Sequence, residues 1–289
     1  MLFASNCRSS VHKLLHAAAM GLFLLLAGCA NNMGDVRQPI PNRLAVAPRP
    51  ASHHVLVVML PGIADNVEVM DRAGVVQAIQ RTWPNADVLL TSTTKAYYAR
   101  DKVWLRLHDE IVEPARARGY SEIWMVGASL GGMGTLLYKQ HYPGELTGIV
   151  LLAPYLGEPR LAQEITAAGG LGHWQPNSEP AVVDASNFQR ELWRYLKTWT
   201  SNPDIGRHVW LGYGDHDWLR YALPNFTPML PGDHIVRRPG RHDWTTWTPL
   251  ITEILGRIRA EQAKTAGSSA GDTFQRSALL SSNTKSAKP

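Results

Sequence analysis

The sequence predicts an α/β protein: a mostly parallel sheet with helices on both faces and a small cap inserted late in the chain. Three observations carry this expectation. Short runs rich in Val, Ile and Leu alternate with helix-length stretches from about residue 54 to residue 260, and such alternation builds a parallel sheet through helical crossovers. The runs are bounded by Pro or Gly and lack a polar face, which suits strands covered on both sides. One run, Ile123-Trp124-Met125-Val126, passes through Gly127-Ala128-Ser129-Leu130-Gly131 straight into a helical pattern.

In chain order, strands are expected over residues 54–60, 86–91, 122–126, 148–153, 208–212 and 234–237. Helices are expected over 67–82, 102–118, 130–141 and 245–260. In the second of these, Val103, Leu105, Leu107, Ile111, Val112 and Ala115 supply an apolar face. The connection between the fourth and fifth strands is too long for a simple loop. It carries Trp174, Trp193, Trp199, Phe188 and Tyr195, and reads as a cap insertion over about 158–207, with its best helix at 187–197. Residues 29–52, with Asn31, Asn32, Pro39, Pro41, Pro48 and Pro50, read as a tether. Residues 264–289 are rich in Ser, Ala, Lys, Thr and Gly and read as a disordered tail. The folded domain is therefore expected over 53–263.

The N-terminus reads as an address rather than as structure. Arg8 and Lys13 precede an apolar stretch from Leu14 to Ala27, interrupted by His16 and too short for a membrane span of roughly 20 residues. Leu26-Ala27-Gly28-Cys29 resembles the lipobox of bacterial lipoproteins. That resemblance implies a signal peptide over 1–28, cleavage before Cys29 and lipidation of its sulfur. Cys7 would leave with the signal, so the mature chain would hold no free thiol, which suits an oxidising compartment. Stable anchoring takes two or more acyl chains, as lipoproteins usually carry. Ala30 stands where an Asp would favour inner-membrane retention, so the resemblance implies the cell envelope, at the outer membrane facing the periplasm.

Composition sets further bounds. Hydrophobic residues make up 45% of the chain, enough for a sizeable core. The net charge is +5, and it falls to +3 once residues 1–28 are removed with Arg8 and Lys13. So small a surplus, without a basic cluster, gives no basis for nucleic-acid binding. The two cysteines, Cys7 and Cys29, form neither a disulfide framework nor a metal-ligand pattern.

The Gly127-to-Gly131 joint has the pattern G-x-S-x-G between a strand and a helix. A serine on so sharp a turn projects its hydroxyl clear of the sheet, the flanking glycines let strand and helix approach, and the helix start adds positive potential. A serine needs a base before it becomes nucleophilic. Of the downstream histidines, His173 falls in the insertion and His234 begins a strand. His242, in Pro239-Gly240-Arg241-His242-Asp243-Trp244, follows the last strand at the sheet's carboxyl edge. The preceding strand ends in Gly214-Asp215-His216-Asp217, so both aspartates are candidates for the acid. Asp215, His216, Asp217 and His242 could together offer metal ligands, but no H-E-x-x-H or CxxC pattern accompanies them, and neither metal nor cofactor is expected.

On Pro61-Gly62, Gly127-Ala128-Ser129-Leu130-Gly131-Gly132, Gly214-Asp215-His216-Asp217 and Gly240-Arg241-His242-Asp243-Trp244, the chain resembles the α/β-hydrolases, in their esterase- and lipase-like part. The resemblance covers about residues 54–260. It implies Ser129 as nucleophile, His242 as base and Asp217 as the acid, because relatives commonly place the acid three residues after the glycine. Asp215 stays open as the alternative. It also implies an oxyanion hole from the N–H groups of Leu130 and Ile63, with Asp65 and Asn66 as nearby polar alternatives. The implied activity is hydrolysis of a small-molecule or lipid-like carboxylic ester, and the tryptophans of the cap suggest an apolar or aromatic group in it. Acyl transfer, thioester or amide cleavage by the same residues, or a non-catalytic envelope protein on the same scaffold, are the competing readings. Fold alone does not choose among them.

Overall fold

The computed structural model describes residues 35–49, 54–100, 102–176 and 186–283, without side chains at 99, 100 and 266–283. The signal peptide expected over 1–28 and the lipidation site Cys29 lie outside the described residues.

Seven strands form one sheet in the order β1-β3-β2-β4-β5-β6-β7. They are β1 (Asn42–Ala45), β2 (Val55–Leu60), β3 (Ala86–Thr91), β4 (Glu122–Ala128), β5 (Gly148–Leu152), β6 (Val209–Gly214) and β7 (Ile235–Arg238). Every pairing is parallel except β1 with β3. All strand-to-helix loops from β2 onward therefore emerge at one edge, where ligands of such sheets bind.

The helices cover both faces. Apart from the single turn Leu223–Phe226, they are α1 (Val67–Arg72), α2 (Val75–Thr82), α3 (Lys95–Arg100), α4 (Val103–Leu107), α5 (Glu113–Ala117), α6 (Leu130–His141), α7 (Pro159–Ala167), α8 (Phe188–Trp199) and α9 (Trp244–Asn283). Every residue of β2 is buried, and its alternation sorts them by face. Leu56, Val58 and Leu60 join the core built with α6 and its neighbours, whereas Val55, Val57 and Met59 join the core built with α2 and α9. This is the period-2 geometry of a strand buried on both sides.

Several elements differ from the sequence reading, among them the helix Lys95–Arg100, which has no counterpart in it. The stretch read as a tether contains β1, whose Asn42 to Ala45 pair antiparallel with Thr91 to Val88. Its residues are mostly exposed, and an edge strand with one neighbour needs no apolar alternation. Around it, the Ile40 N–H donates to Glu110 Oε2 (2.6 Å) and the Ala47 N–H to Asp87 Oδ1 (2.7 Å). The helix expected over 67–82 breaks at Gly74, which takes the left-handed conformation (φ 73°) that glycine adopts most cheaply. The helix expected over 102–118 is continuous but contains a π-helical segment, His108–Val112. The last helix runs to Asn283, through residues whose composition reads as a disordered tail; lack of an apolar face does not by itself remove helix propensity from Ala, Gln, Lys and Arg.

The insertion between β5 and β6 is held by its own polar and aromatic contacts. Arg190 of α8 donates to both carboxylate oxygens of Glu164 on α7, at 2.8 and 2.9 Å, and the Trp174 indole N–H donates to the same carboxylate at 2.8 Å. The Arg190 guanidinium holds the Glu164 carboxyl below its usual range. Trp193 is fully buried and donates its indole N–H to the Leu156 carbonyl (2.6 Å). Removing so large a buried side chain is costly. Trp193→Ala is expected to lower the unfolding free energy by about 3–5 kcal/mol, measured by urea titration; a loss below about 1 kcal/mol would mean that the insertion does not depend on this residue.

Candidate active site

Ser129 stands between β4 and α6 with φ 53° and ψ −114°, a region that side-chain-bearing residues occupy at a cost of about 1–3 kcal/mol. The surrounding backbone imposes this turn. The Ser129 N–H donates to the Leu152 carbonyl and the Tyr155 N–H to the Ser129 carbonyl, both at 2.9 Å. The joint leaves no room for side chains on either flank. A Cβ at Gly127 would fall 2.2 Å from the Gly131 carbonyl oxygen, and one at Gly131 would fall 2.4 Å from that of Leu60.

The loops after β6 and β7 bring two further side chains to Ser129. The Asp217 side chain is fully buried, and its two oxygens lie 2.9 and 2.8 Å from His242 Nδ1. A carboxylate only accepts, so Nδ1 carries the hydrogen and Nε2 is left with a lone pair. The Ser129 hydroxyl donates to that Nε2 at 2.9 Å. Asp217 Oδ1 also accepts the Leu219 N–H at 2.8 Å, which further satisfies the buried carboxylate. The imidazole is flanked by Trp218 and Trp247, with ring centroids 5.0 and 4.7 Å away.

Asp215 takes a different place. Its Oδ1 accepts the Gly240 N–H at 3.1 Å, and its own N–H donates to the Arg238 carbonyl at 2.9 Å. It ties the β6 loop to the β7 loop and does not contact the His242 ring. His216 points to solvent, and His234 is buried against Trp210. Among the described residues no three His, Cys, Asp or Glu side chains are grouped so as to hold a metal ion. Asp243 stands just before α9 and accepts from the Thr245 hydroxyl (2.6 Å) and the Thr246 N–H (3.1 Å); the Thr245 hydrogen bond foremost holds its carboxyl below the usual range.

Leu130 opens α6, so its N–H is one of those left without an intrahelical acceptor. The Gly62-Ile63 turn lies beside it: a Cβ at Gly62 would stand 3.7 Å from Ser129 Cβ. Leu130 and Ile63 both line the cleft that holds Ser129. The polar alternatives in the same loop are occupied. Asp65 Oδ2 accepts the Trp244 indole N–H at 2.9 Å, and Asn66 Oδ1 accepts the Val69 N–H at 3.0 Å, capping α1.

The cleft has a volume of about 1120 Å³ and is lined in part by aromatic side chains, among them Trp104, Trp218, Trp244 and Trp247, and also by Lys95 and Lys102. The tryptophans of the insertion are not among them. Trp174, Trp193 and Trp199 are buried in the core, so the suggestion that they face a substrate is corrected: they hold the insertion together. Two of the cleft tryptophans had a signal in the sequence, since Trp218 follows Asp217 directly and Trp244 stands two residues after His242.

No protein-family model and no curated protein matches the chain. Solved structures do. Est1E from Butyrivibrio proteoclasticus with ferulic acid bound is 20% identical, with a TM-score of 0.53 over 78% of this chain and 96% of that one. The fluorophosphonate-binding serine hydrolase FphF of Staphylococcus aureus is 13% identical, with a TM-score of 0.52 over 75% and 98%. The S-formylglutathione hydrolase FrmB of the same organism is 14% identical, with a TM-score of 0.51 over 75% and 91%. The mostly parallel seven-stranded sheet with its helices is an α/β-hydrolase fold.

The close approach at the joint generates a prediction. Gly127→Ala must displace α6 or the strand, and overpacking of this kind costs about 1–3 kcal/mol. Calorimetry should show a lower Tm, by about 2–4 °C per kcal/mol for a chain of this size. Gly172→Ala, where a Cβ meets nothing within 4 Å, should leave Tm unchanged. Equal Tm for Gly127→Ala and the parent would refute the steric account.

Proposed function

We propose that the protein is a serine hydrolase that cleaves a carboxylic ester through an acyl-serine intermediate, with Ser129, His242 and Asp217 as its catalytic triad. The observation that carries this reading is the hydrogen-bonded row from Ser129 Oγ through the His242 ring to the buried Asp217 carboxylate. The likeness to Est1E with ferulic acid bound and to a fluorophosphonate-binding serine hydrolase supports it.

Ser129 Oγ attacks the ester carbonyl carbon while its proton passes to His242 Nε2. The carbonyl oxygen becomes an oxyanion, held by the N–H groups of Leu130 and Ile63; each such donor is worth about 2.7–4 kcal/mol in the transition state. The imidazolium is stabilised by Asp217, which keeps Nδ1 protonated throughout. His242 then gives its Nε2 proton to the leaving alkoxide oxygen, the C–O bond breaks and the alcohol departs. A water molecule, deprotonated by Nε2, attacks the acyl-serine, and the second oxyanion collapses to release the carboxylic acid and restore the Ser129 hydroxyl.

The reading extends to location. Leu26-Ala27-Gly28-Cys29 after a short apolar stretch supports cleavage before Cys29 and lipid anchoring there, in the cell envelope at the outer membrane facing the periplasm. The residues from Cys29 to the first strand would then set the reach of the cleft from the membrane.

A fluorophosphonate probe is expected to label the parent protein and not Ser129→Ala, whose ester turnover should fall about 10⁶-fold. In the same assay Asp217→Asn should lose about 10⁴-fold by favouring the wrong imidazole tautomer, while Asp215→Asn, altering a loop brace, should lose far less. Labelled Ser129→Ala, or a greater loss from Asp215→Asn than from Asp217→Asn, would overturn these assignments. Separately, Cys29→Ala should move the protein from the detergent phase to the aqueous phase and abolish acylation in mass spectra; unchanged partition without another lipid would remove the anchor.

A further inference from the structure

The cleft extends well beyond Ser129. It follows α6, where Leu130, Met133 and Leu137 line it. Spaced three and four residues apart, they form one apolar stripe along the helix. At 1.5 Å per residue, the stripe carries the cleft about 12 Å from Ser129 to Leu137. The facing wall is Tyr98, Val103 and Trp104, supplied by α3 and α4. Tyr98 lies directly against α6, its hydroxyl 2.4 Å from where a Gly134 Cβ would stand. At the far end the Trp104 ring stacks on His141, with centroids 4.1 Å apart. His141, one turn beyond Leu137, donates from Nδ1 to the Leu137 carbonyl at 2.9 Å. None of these six wall residues carries a charge; Lys95 and Lys102 line the cleft beside them on the α3–α4 side.

The order of strands says which part of a substrate this arm would face. β6 and β7 lie on one side of β4, and β2 and β3 lie on the other. Asp217 and His242 follow β6 and β7, so the imidazole reaches Ser129 from that side. Tyr98, Val103 and Trp104 follow β3 and stand on the opposite side. In ester hydrolysis the histidine protonates the leaving oxygen, so the alcohol leaves on the His242 side, past Trp218. The acyl chain then points away from it, along α6.

We propose that the arm between α6 and the segment after β3 is an acyl-chain site, and that the substrate is an aliphatic ester with a medium-length, unbranched acyl group. This rests on the proposed ester hydrolysis. The apolar stripe of Leu130, Met133 and Leu137 gains affinity with each methylene it buries. The Trp104–His141 stack ends it, and so sets an upper limit on chain length.

The test compares kcat/KM for p-nitrophenyl acetate, octanoate and palmitate in the parent, Leu137→Trp and Trp104→Ala proteins. It also measures octanoate binding to each by calorimetry. The parent should prefer octanoate to acetate by at least about tenfold. Leu137→Trp, which fills the arm, should cut the octanoate-to-acetate ratio by about tenfold or more. Trp104→Ala removes the end wall at a half-buried position and should raise the palmitate-to-octanoate ratio; it keeps the test open if the fully buried Leu137 tolerates no change. Equal turnover of acetate and octanoate by the parent, or ratios that neither variant moves, would overturn the acyl site and leave ester hydrolysis standing. Octanoate binding that Leu137→Trp weakens supports the arm even if no ester is turned over, a result that would instead remove the hydrolase reading. Absence of octanoate binding by the parent overturns the arm even where Ser129 is labelled.

Discussion

The turn at Ser129 is the constraint around which the rest of the structure is arranged. A residue with a side chain is held at φ 53°, a conformation that costs about 1–3 kcal/mol wherever it occurs. It persists only because the neighbourhood allows nothing else. β4 is paired in parallel on both sides, Gly127 opposite Leu60 and Ala128 opposite Leu152, so the strand cannot shift. α6 comes so close that neither Gly127 nor Gly131 has space for a Cβ. A strand-to-helix turn this tight needs a central strand, a parallel neighbour on each side and a helix packed on the same face. The fold supplies all three, and the buried residues of β4 and α6 lock them together.

Bringing Asp217 and His242 to that turn is a problem of loop geometry. They belong to different loops, and each loop is braced to the other. The Asp215 N–H donates to the Arg238 carbonyl, the His216 N–H to that of Gly240, and Asp215 Oδ1 accepts the Gly240 N–H. Asp215 therefore serves the geometry that Asp217 and His242 depend on, and the two aspartates divide the structural and electrostatic work of one short sequence. A fully buried carboxylate is tolerated because its oxygens are hydrogen-bonded, to the Leu219 N–H and to His242.

Much of this was legible in the sequence, for definite physical reasons. Strands buried on both faces leave uninterrupted apolar runs, and β2 through β7 were all placed within two residues at each end. The helix Leu130–His141 was bounded correctly because a glycine-rich joint starts it. That Ser129, His242 and the loop of Asp215 and Asp217 lie at one edge was readable from their places after parallel strands, since such a sheet sends those loops to one side; the preference for Asp217 over Asp215 came from the family resemblance. What was not legible had no local signal. β1 is an exposed edge strand whose stability comes from pairing with β3 rather than from its own residues. α3 is one short helix without a periodic face, and the π segment at His108–Val112 leaves the amphipathic pattern of its helix nearly unchanged. The roles of the tryptophans were misassigned because tryptophan marks large buried area in a core and in a cleft alike; only proximity to Asp217 and His242 separated Trp218 and Trp244 from Trp174, Trp193 and Trp199.

That separation of tryptophans has a structural consequence. The insertion spends its indoles on its own cohesion, through Trp174 on Glu164 and Trp193 on the Leu156 carbonyl, and lends the cleft Phe188. The aromatic walls come instead from the loops after β6 and β7 and from the segment after β3. The strained turn and the aromatic walls are therefore carried by different parts of the chain. Trp104 stands on α4 over the distal end of α6, a helix's length from the strained joint, and Trp218 stands half-exposed or more beside His242. Side chains at these positions can change the size and shape of the cleft without entering the crowded contact between Gly127 and Gly131. A fold whose central turn tolerates almost no substitution can in this way hold clefts of different shape, because the residues that fix the turn and the residues that line the cleft overlap only at Ser129, Leu130 and Tyr155.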